Sequence, residues 1–148
     1  MIIFLLAGSP AIASFSPGQA IKGNSGEILS SVTVFAGSGN FSMQEGTKEA
    51  SSFRMPSSLL LLEDGSVLVS DTKNQLIRNI QSGEVSTFAG FAALPVDSTN
   101  LPIGALVDGE TENAVFHEPA GLSKDADGNV YVADAANHAI RKITPEGE

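Results

Sequence analysis

The chain contains no cysteine among its 148 residues, which excludes disulfide bonds, thiolate metal sites and a cysteine nucleophile. Positive charge is scarce, because 8 basic side chains face 17 acidic ones and leave a net charge of −9. Phosphate binding needs a clustered positive surface, so this balance argues against a nucleic-acid partner. Long hydrophobic runs are missing too: the apolar start at Met1–Leu6 is too short to span a bilayer, which takes roughly 20 residues.

The first thirty residues differ in composition from the rest of the chain. Ala11–Ala13, placed before Ser14, fits the small-x-small pattern of a leader cleavage site, although no Lys or Arg precedes the apolar start. We interpret residues 1–13 as a signal-peptide remnant, with a hydrophobic N-terminal strand as the alternative. The protein is therefore expected to be secreted or displayed on the cell surface. Residues 14–30 are rich in Ser and Gly, which predicts a linker.

An internal duplication dominates residues 31–148. Residues 45–81 align with residues 108–144 at an offset of 63 without a gap, and 14 of these 37 positions are identical. Most of the identities fall on Gly, Pro, Asp and alternating aliphatic positions, which is what a shared backbone demands. Repeats of this length are typical of solenoids, propellers and arrays.

A second similarity pairs Val32–Gly37 with Val85–Gly90, at an offset of 53. The difference between the two offsets indicates ten additional residues before the second repeat, placed within Phe91–Leu106. Repeat one therefore spans about 45–90 and repeat two about 108–148.

Each repeat is predicted to form short antiparallel strands separated by Asp-Gly or Ser-Gly turns. Four short strands per unit are the composition of a propeller blade. The predicted strands are Leu59–Leu62, Val67–Val69, Leu76–Ile80 and Val85–Phe88 in repeat one, Ala120–Lys124, Val130–Val132 and Ile140–Ile143 in repeat two, and Val32–Gly37 as a leading fourth strand.

The sequence GNVYVADAANHAIRKITPEG at Gly128–Gly147 closely resembles the NHL repeat. The preceding FHEPAGLSKDADGN and the FAG endings of the fourth strands fit the same family, over about three-quarters of the chain. The resemblance implies an all-β fold, a partial β-propeller of four-stranded NHL-type blades. Repeat one departs from the pattern, with Ser70 in place of Ala133 and Gln75 in place of His138. The chain also resembles the N-terminal NHL regions of secreted bacterial proteins with a copper-amine-oxidase-N-terminal-like domain, although no copper ligand set is visible.

Eight predicted strands make two blades, whereas closed propellers have about four to eight blades. An open fan would leave strand edges and apolar faces in water. We therefore expect a fragment whose remaining blades lie in the same longer chain. The alternative is self-assembly, in which three copies form a six-bladed ring and each leading strand completes a neighbour's blade.

A polar cluster in repeat two resembles a catalytic or metal site, but most of it recurs in repeat one. Chemistry that needs a single site is not expected in every blade, whereas a structural device is. We interpret the set as structural, with the Asp accepting backbone N–H groups at a turn and the Arg pairing with an acidic neighbour. The residues of this structural repeat motif are Asp71, Asn74, Arg78, Asp134, Asn137, His138 and Arg141.

Metal sites are weakly supported by the remaining motifs. Asp125–Asn129 places oxygen ligands at alternate positions, but its spacing fails the EF-hand pattern and favours a hairpin turn. His117 and His138 are the only histidines, and nothing in the spacing brings them to a common zinc site. The acidic run of Asp108, Glu110 and Glu112, with Glu118 beyond it, is interpreted as a solvated connector, with a rim for a basic partner as the alternative.

The sequence thus predicts a non-catalytic binding or scaffold module of an exported protein, with a protein or glycan partner and no cofactor. The alternative is a fragment of a propeller enzyme, of lyase or lactonase type, whose metal site lies in blades outside this chain.

Overall fold

The computed structural model describes residues 21–22, 28–30, 32–93 and 95–147, in two compact units, residues 1–35 and 36–148. In the first unit, β1 (Ile21–Lys22) pairs antiparallel with β2 (Ile28–Ser30). The predicted leader at residues 1–13 lies outside the described residues. The predicted linker is described only at β1 and β2, so both boundaries stay predictions.

The second unit contains two antiparallel sheets, and each corresponds to one sequence repeat. The first sheet has five strands in the order β3-β7-β6-β5-β4, and its last four form blade 1. Its strands are β3 (Gly46–Thr47), β4 (Pro56–Leu61), β5 (Val67–Asp71), β6 (Leu76–Gln81) and β7 (Glu84–Ala89).

The second sheet has three strands in the order β10-β9-β8, and it forms blade 2. A one-turn 3-10 helix joins the second and third strands of each blade, η1 (Thr72–Asn74) in blade 1 and η2 (Ala135–Asn137) in blade 2. The strands are β8 (Pro119–Lys124), β9 (Val130–Asp134) and β10 (Ala139–Ile143).

The turns form as the sequence indicates, because glycines occupy the positions that need a positive φ. Gly65 and Gly128 have φ of 84° and 90°, and each closes the turn between the first and second strands of its blade. The Leu62 N–H donates to the Ser66 carbonyl, and the Asp125 N–H donates to the Asn129 carbonyl in the same way. These equivalent turns give both blades the same strand register.

The main core lies between the blades. The front face of blade 1, the face toward blade 2, contributes Leu68, Ile77 and Ala89, with Leu60 and Leu62 beside them. The rear face of blade 2 meets it with its own apolar side chains. These are Phe116, Val130, Val132 and Ile143, with Leu122 beside them.

The predicted leading strand at Val32–Gly37 is wrong as a strand: residues 32–37 belong to no ladder in the described part of the chain. A ladder needs a partner, and the third strand that would pair with this segment is not among the described residues. The two-residue strand β3 was not predicted, because Gly46–Thr47 lacks a strand pattern; it pairs with Val85 and Glu84 of β7. The structure contains, within its described ranges, no helix with the length and apolar character to cross a membrane.

Candidate functional site

The structural repeat motif of blade 1 is centred on the Asp71 carboxylate, which is completely buried at the end of β5. Its Oδ1 accepts the backbone N–H of Arg54 at 2.7 Å. Its Oδ2 accepts the Nδ2–H of Asn74 at 2.8 Å and the Nη1–H of Arg78 at 3.0 Å. The carboxylate therefore links the loop before β4, the 3-10 helix η1 and the strand β6 through hydrogen bonds.

Arg78 extends this network into the loop that precedes β4. Its guanidinium donates to the carbonyls of Ser52 and Gln44, at 3.5 and 3.2 Å. It also lies over the Phe53 ring, 5.6 Å from the centroid, which adds a cation–π contact. The fully buried Arg78 thus connects β6 with the loop that precedes β4 and with the apolar ring of Phe53.

Blade 2 repeats these contacts at equivalent positions. Oδ1 of the buried Asp134 accepts the backbone N–H of His117 at 2.7 Å, and Oδ2 accepts from Asn137 at 2.8 Å and Arg141 at 3.0 Å. We call each network of Asp, Asn and Arg a clamp. Its recurrence with the same atoms is what a structural role predicts.

Arg141 differs from Arg78 in having a second acidic partner. It donates to the carbonyls of Val115 and Val107 at 3.0 and 2.8 Å, and lies over the Phe116 ring at 5.1 Å. Its Nη2 also lies 2.7 Å from Oδ1 of Asp108, an exposed carboxylate of the acidic run. The clamp of blade 2 is therefore partly open to solvent, whereas that of blade 1 is closed.

Burial dominates the electrostatics of the blade 1 clamp. Desolvation raises the pKa of Asp71, and the hydrogen bonds from Asn74, the Arg54 backbone and Arg78 oppose that rise. Removing one member of such a buried ion pair leaves an uncompensated charge, which generally costs about 3–5 kcal/mol. We therefore predict that the clamp stabilises its blade only as a complete set.

His138 takes part through its backbone rather than its ring. It follows η2 with a φ of 54°, and its N–H donates to the Ala135 carbonyl. Gln75 occupies the same place after η1 with a φ of 60°. The imidazole of His138 is not part of the clamp, so this residue stands apart from the other six.

A second set of side chains, which sequence reasoning missed, joins the two blades; we call it the seam. Oε1 of Gln75 accepts the backbone N–H of Glu118 at 2.6 Å, and Nε2 donates to the Pro102 carbonyl at 3.1 Å. Lys73 Nζ pairs with the Glu118 carboxylate, whose pKa is lowered mainly by that hydrogen bond. Thr72 donates to the Pro119 carbonyl at 2.8 Å.

The hydroxyl of Ser70 completes the seam by donating to the Ala120 carbonyl. The four seam positions of blade 1 are among the positions at which repeat one differs from repeat two. Their counterparts in blade 2 are Ala133, Ala135, Ala136 and His138. These four differences are therefore contacts across the junction between the blades, and the polar side chains that replace Ala or His at these positions were the only sequence signal for them.

The Asp125 carboxylate is directed into its own hairpin. Oδ1 accepts the N–H groups of Asp127 and Asn129, and Oδ2 accepts from the Asn129 amide and the Tyr131 hydroxyl. The Asn129 side chain is the main reason that the pKa of Asp125 is lowered. This is the geometry of the predicted turn.

Metal-binding groups do not converge in the described ranges, where no three His, Asp or Glu side chains lie close enough to hold an ion. The acidic run is dispersed. Asp108 pairs with Arg141, Glu118 pairs with Lys73, and the side chains of Glu110 and Glu112 are exposed.

The ten additional residues form part of the insertion loop, residues 91–106, which reaches both blades. The loop accepts hydrogen bonds on its carbonyls: Arg54 donates to Asn100 at 3.1 Å, and Asn137 donates to Ala105 at 2.8 Å. Gly104 packs so closely that a Cβ there would lie 2.6 Å from the Phe116 carbonyl oxygen. The loop is thus fixed at its base, whereas Val96, Ile103 and Leu106 remain 49–56% exposed.

Repeated antiparallel blades that stack face to face are the architecture of the β-propeller class of protein. The NHL repeat family model matches residues 116–143, which comprise blade 2 and its clamp. Residues 116–143 are therefore an NHL repeat, and the chain has a partial β-propeller fold.

Known proteins with related sequences support this assignment. The chain is 33% identical to NHL repeat-containing protein 2 of Bos taurus, over 76% of this chain and 16% of that protein. It is 30% identical to the chloroplastic protein SUPPRESSOR OF QUENCHING 1 of Arabidopsis thaliana, over 80% of this chain and 12% of that protein. The chain therefore spans less than a fifth of the length of these curated relatives.

Solved structures share the fold. A protein of unknown function from Bacteroides thetaiotaomicron has a TM-score of 0.63 and 27% identity, covering 76% of this chain and 28% of that one. An auxiliary nutrient binding protein from Bacteroides ovatus has a TM-score of 0.63 and 20% identity, covering 84% of this chain and 31% of that one. At that identity the second likeness concerns the fold alone.

Proposed function

We propose that this chain is a non-catalytic binding module, in which the propeller blades are a rigid support for an interaction surface. The observation that carries the proposal is the insertion loop, which occurs in one repeat only and is bonded to both blades. Recognition residues are commonly presented on such loops above a rigid scaffold. The six clamp side chains are occupied with structural contacts in both blades.

The interaction surface consists of the exposed part of the insertion loop. Val96 and Ile103 are about half exposed, and the carboxylate of Asp97 caps the loop by accepting the N–H groups of Thr99 and Leu101. A rigid surface of mixed apolar and polar character suits a protein or a glycan partner. The net charge of −9 makes nucleic acid a poor candidate.

Affinity electrophoresis in native gels that contain starch, dextran or pectin tests whether the partner is a glycan. Retardation that is lost in Val96→Ser and Ile103→Ser, but kept in the control Leu61→Ser, would support binding through the loop. Leu61 is a suitable control because it is equally apolar and 70% exposed, but lies in β4. Retardation that persists in both loop variants would place binding elsewhere and contradict the proposed surface.

Titration calorimetry with Zn²⁺ and Ca²⁺ tests whether the two blades of this chain hold a metal ion by themselves. A binding module of this kind is expected to take up neither ion stoichiometrically. A stoichiometric site that is abolished by His117→Ala or His138→Ala would instead favour a metal-dependent enzyme.

Export of the protein is part of the proposal and rests on the leader-like residues 1–13. Expression in a bacterial host followed by mass spectrometry of the exported chain should find Ser14 as the new N-terminus. A chain that stays in the cytoplasm with residues 1–13 intact would contradict export.

A further inference from the structure

A groove of about 760 Å³ opens beside β7, where the loop before blade 1, the loop before blade 2 and the start of the insertion loop meet. We call it the rim groove. All of its lining residues belong to the second unit of the chain. They are residues 43–45, 91–93 and 111–112, together with Thr87, Phe88 and Gly90. The volume is within the range of roughly 300–1,000 Å³ that is usual for ligand pockets.

The start of the insertion loop gives the rim groove a wall that the loop before blade 1 does not have. Gly90 N–H donates to the Thr111 carbonyl at 2.7 Å, and Phe91 N–H donates to the Ala114 carbonyl at 2.9 Å, so this wall is fixed against the loop before blade 2. The wall continues as Phe-Ala-Ala at residues 91–93, whereas repeat one has Ser-Gly-Asn after the corresponding Gly37. The apolar wall is therefore particular to this junction and is not a property of every blade.

The apolar lining is exposed but held in place. Phe91 is 42% exposed, and Ala92 and Ala93 are exposed beside it. Met43 and Phe88 also line the groove and are partly buried, and Phe88 packs against the core between the blades. A surface that is fixed before binding loses little conformational freedom when a ligand arrives. The rim groove is therefore suited to take up an apolar group.

Two carboxylates stand beside this apolar lining, one on each of the loops that precede the blades. Oε1 of Glu45 accepts the backbone N–H of Thr87 at 2.7 Å and the Thr87 hydroxyl at 2.8 Å, which fixes Glu45 against β7. Glu112, a member of the acidic run, is exposed. No Lys, Arg or His is among the described residues that line the groove, and none forms an ion pair with either carboxylate within the described part of the chain.

This combination is complementary to a cation that is carried on an apolar stem. A Lys or Arg side chain lays its methylene groups on apolar surface and extends its charge to a carboxylate. The ring of Phe91 can add a cation–π contact. A neutral glycan supplies hydroxyl groups but no charge to balance two carboxylates, and the net charge of −9 disfavours an acidic glycan. The chemistry of the groove therefore favours a basic protein segment.

We propose that the rim groove binds an extended segment of a partner protein, in which a Lys or Arg side chain pairs with Glu45 and Glu112 and a neighbouring apolar side chain packs on Phe91. The inference rests on the proposed function, since it takes the insertion loop as part of the interaction surface. It narrows the partner from a protein or a glycan to a basic segment of a protein. The groove is larger than one side chain, so the adjacent residues of the segment fill the remainder.

A cellulose-bound array of acetylated heptapeptides, probed with the purified chain, tests the class of partner. The peptides have Lys, Arg, Gln or Glu at the centre and either Leu or Ser on both sides. Retention on Lys- and Arg-centred peptides with Leu neighbours should exceed that on the Gln-centred peptides by about tenfold or more, because close charge pairs across interfaces contribute at least that much. Ser neighbours should weaken retention. Equal retention on Lys- and Gln-centred peptides, or retention on none, would overturn the proposal.

A double variant, Glu45→Gln with Glu112→Gln, separates the groove from the general negative charge of the chain. Gln at position 45 keeps an acceptor for the Thr87 N–H, so the contact with β7 is preserved, and thermal unfolding checks this. The preference for Lys over Gln peptides should be lost. Glu84→Gln with Glu146→Gln is the matched control, because it removes the same charge from exposed positions outside the groove. Equal losses in the two double variants would show that net charge alone attracts the peptides, and would overturn the proposal.

Two single variants keep a failure of this inference apart from a failure of the proposed function. Phe91→Ser alters the rim groove, whereas Val96→Ser alters the exposed part of the insertion loop. Peptide binding that is lost only in Phe91→Ser supports the groove. Binding that is lost in Val96→Ser but kept in Phe91→Ser preserves the loop as the interaction surface and overturns the groove. Glycan retardation that is lost in the Glu45 and Glu112 double variant would assign the groove to a glycan and overturn the protein partner.

Discussion

Blade 1 and blade 2 have the same backbone and the same clamp, yet they differ in what surrounds them. The clamp of blade 1 is sealed, with Arg78 fully buried, whereas Arg141 is 9% exposed and has Asp108 as a second partner. The seam differs more, because four polar side chains of blade 1 are replaced by three Ala and one His in blade 2. The clamp is therefore a feature that both blades share, whereas the seam belongs to the one junction between blade 1 and blade 2.

The largest effect is expected from opening the sealed clamp. Asp71→Ala leaves the Arg78 guanidinium buried without its carboxylate, so unfolding in urea should show a loss of about 3–5 kcal/mol. Asp134→Ala should cost less, about 1–3 kcal/mol, because Arg141 keeps Asp108 and some contact with water. Equal losses would mean that the second partner and the residual exposure do not matter.

The next largest difference is expected between Gly90, which follows β7, and its sequence counterpart Gly37. At Gly90 an added Cβ would lie 2.8 Å from Leu76 Cδ2 and 2.9 Å from the Gln75 carbonyl oxygen, at a φ of 111°. Gly90→Ala should therefore cost about 1–3 kcal/mol. Gly37→Ala has a similar φ but only a 3.3 Å contact with Phe53, so its loss in thermal unfolding should be smaller. A larger loss at Gly37 would indicate that a neighbouring blade packs against it.

Removing the seam should have a moderate effect. Gln75→Ala leaves the N–H of Glu118 and the Pro102 carbonyl without their partners, which corresponds to about 1–2 kcal/mol. His138→Ala is the matched change in blade 2, and should be near neutral because its ring is outside the clamp. Urea denaturation of both variants checks the difference, and a larger effect at His138 would reverse the assignment of the seam.

The smallest effect is expected at the Lys73–Glu118 ion pair. The Glu118 side chain is 39% exposed, so solvent screening limits its contribution to about 1 kcal/mol or less. Since the pKa of Glu118 is lowered in the folded state, its contribution is present above pH 4.5 and is lost as the pH falls through the folded value. Glu118→Gln should thus be less stable than the parent at pH 7, and the two should converge as the pH falls below the folded-state pKa of Glu118. A difference that grows on acidification would contradict this pairing.

Much of the fold followed from local patterns. The turns at Gly65 and Gly128 were predictable because only glycine readily adopts their φ, and the alternating aliphatic residues of β5 and β9 marked strands with one face in the core. The leading segment at Val32–Gly37 was the exception. It carries a strand pattern, but a strand exists only with a partner, and no local signal reveals whether a partner is present.

The clamp was partly predictable in the same way. Asp71, Arg78 and their counterparts were recognisable as a repeated set, and Phe53 and Phe116 recur with them, so a structural role was the natural hypothesis. The carbonyl partners at Gln44 and Val107 were not recognisable, because a backbone acceptor has no sequence signature. The clamp's role in stability stays a prediction until the substitutions above are made.

The sequence by itself determined the blade: its strands, its turns and the residues of its clamp, since these depend on periodicity and on backbone angles that few residues adopt. Only the tertiary structure decided which side chains join one blade to the next. Each of Ser70, Thr72, Lys73 and Gln75 bonds to an atom of residues 118–120, at least 43 positions away along the chain. Contacts of that kind depend on where two sheets stack, which no local pattern encodes.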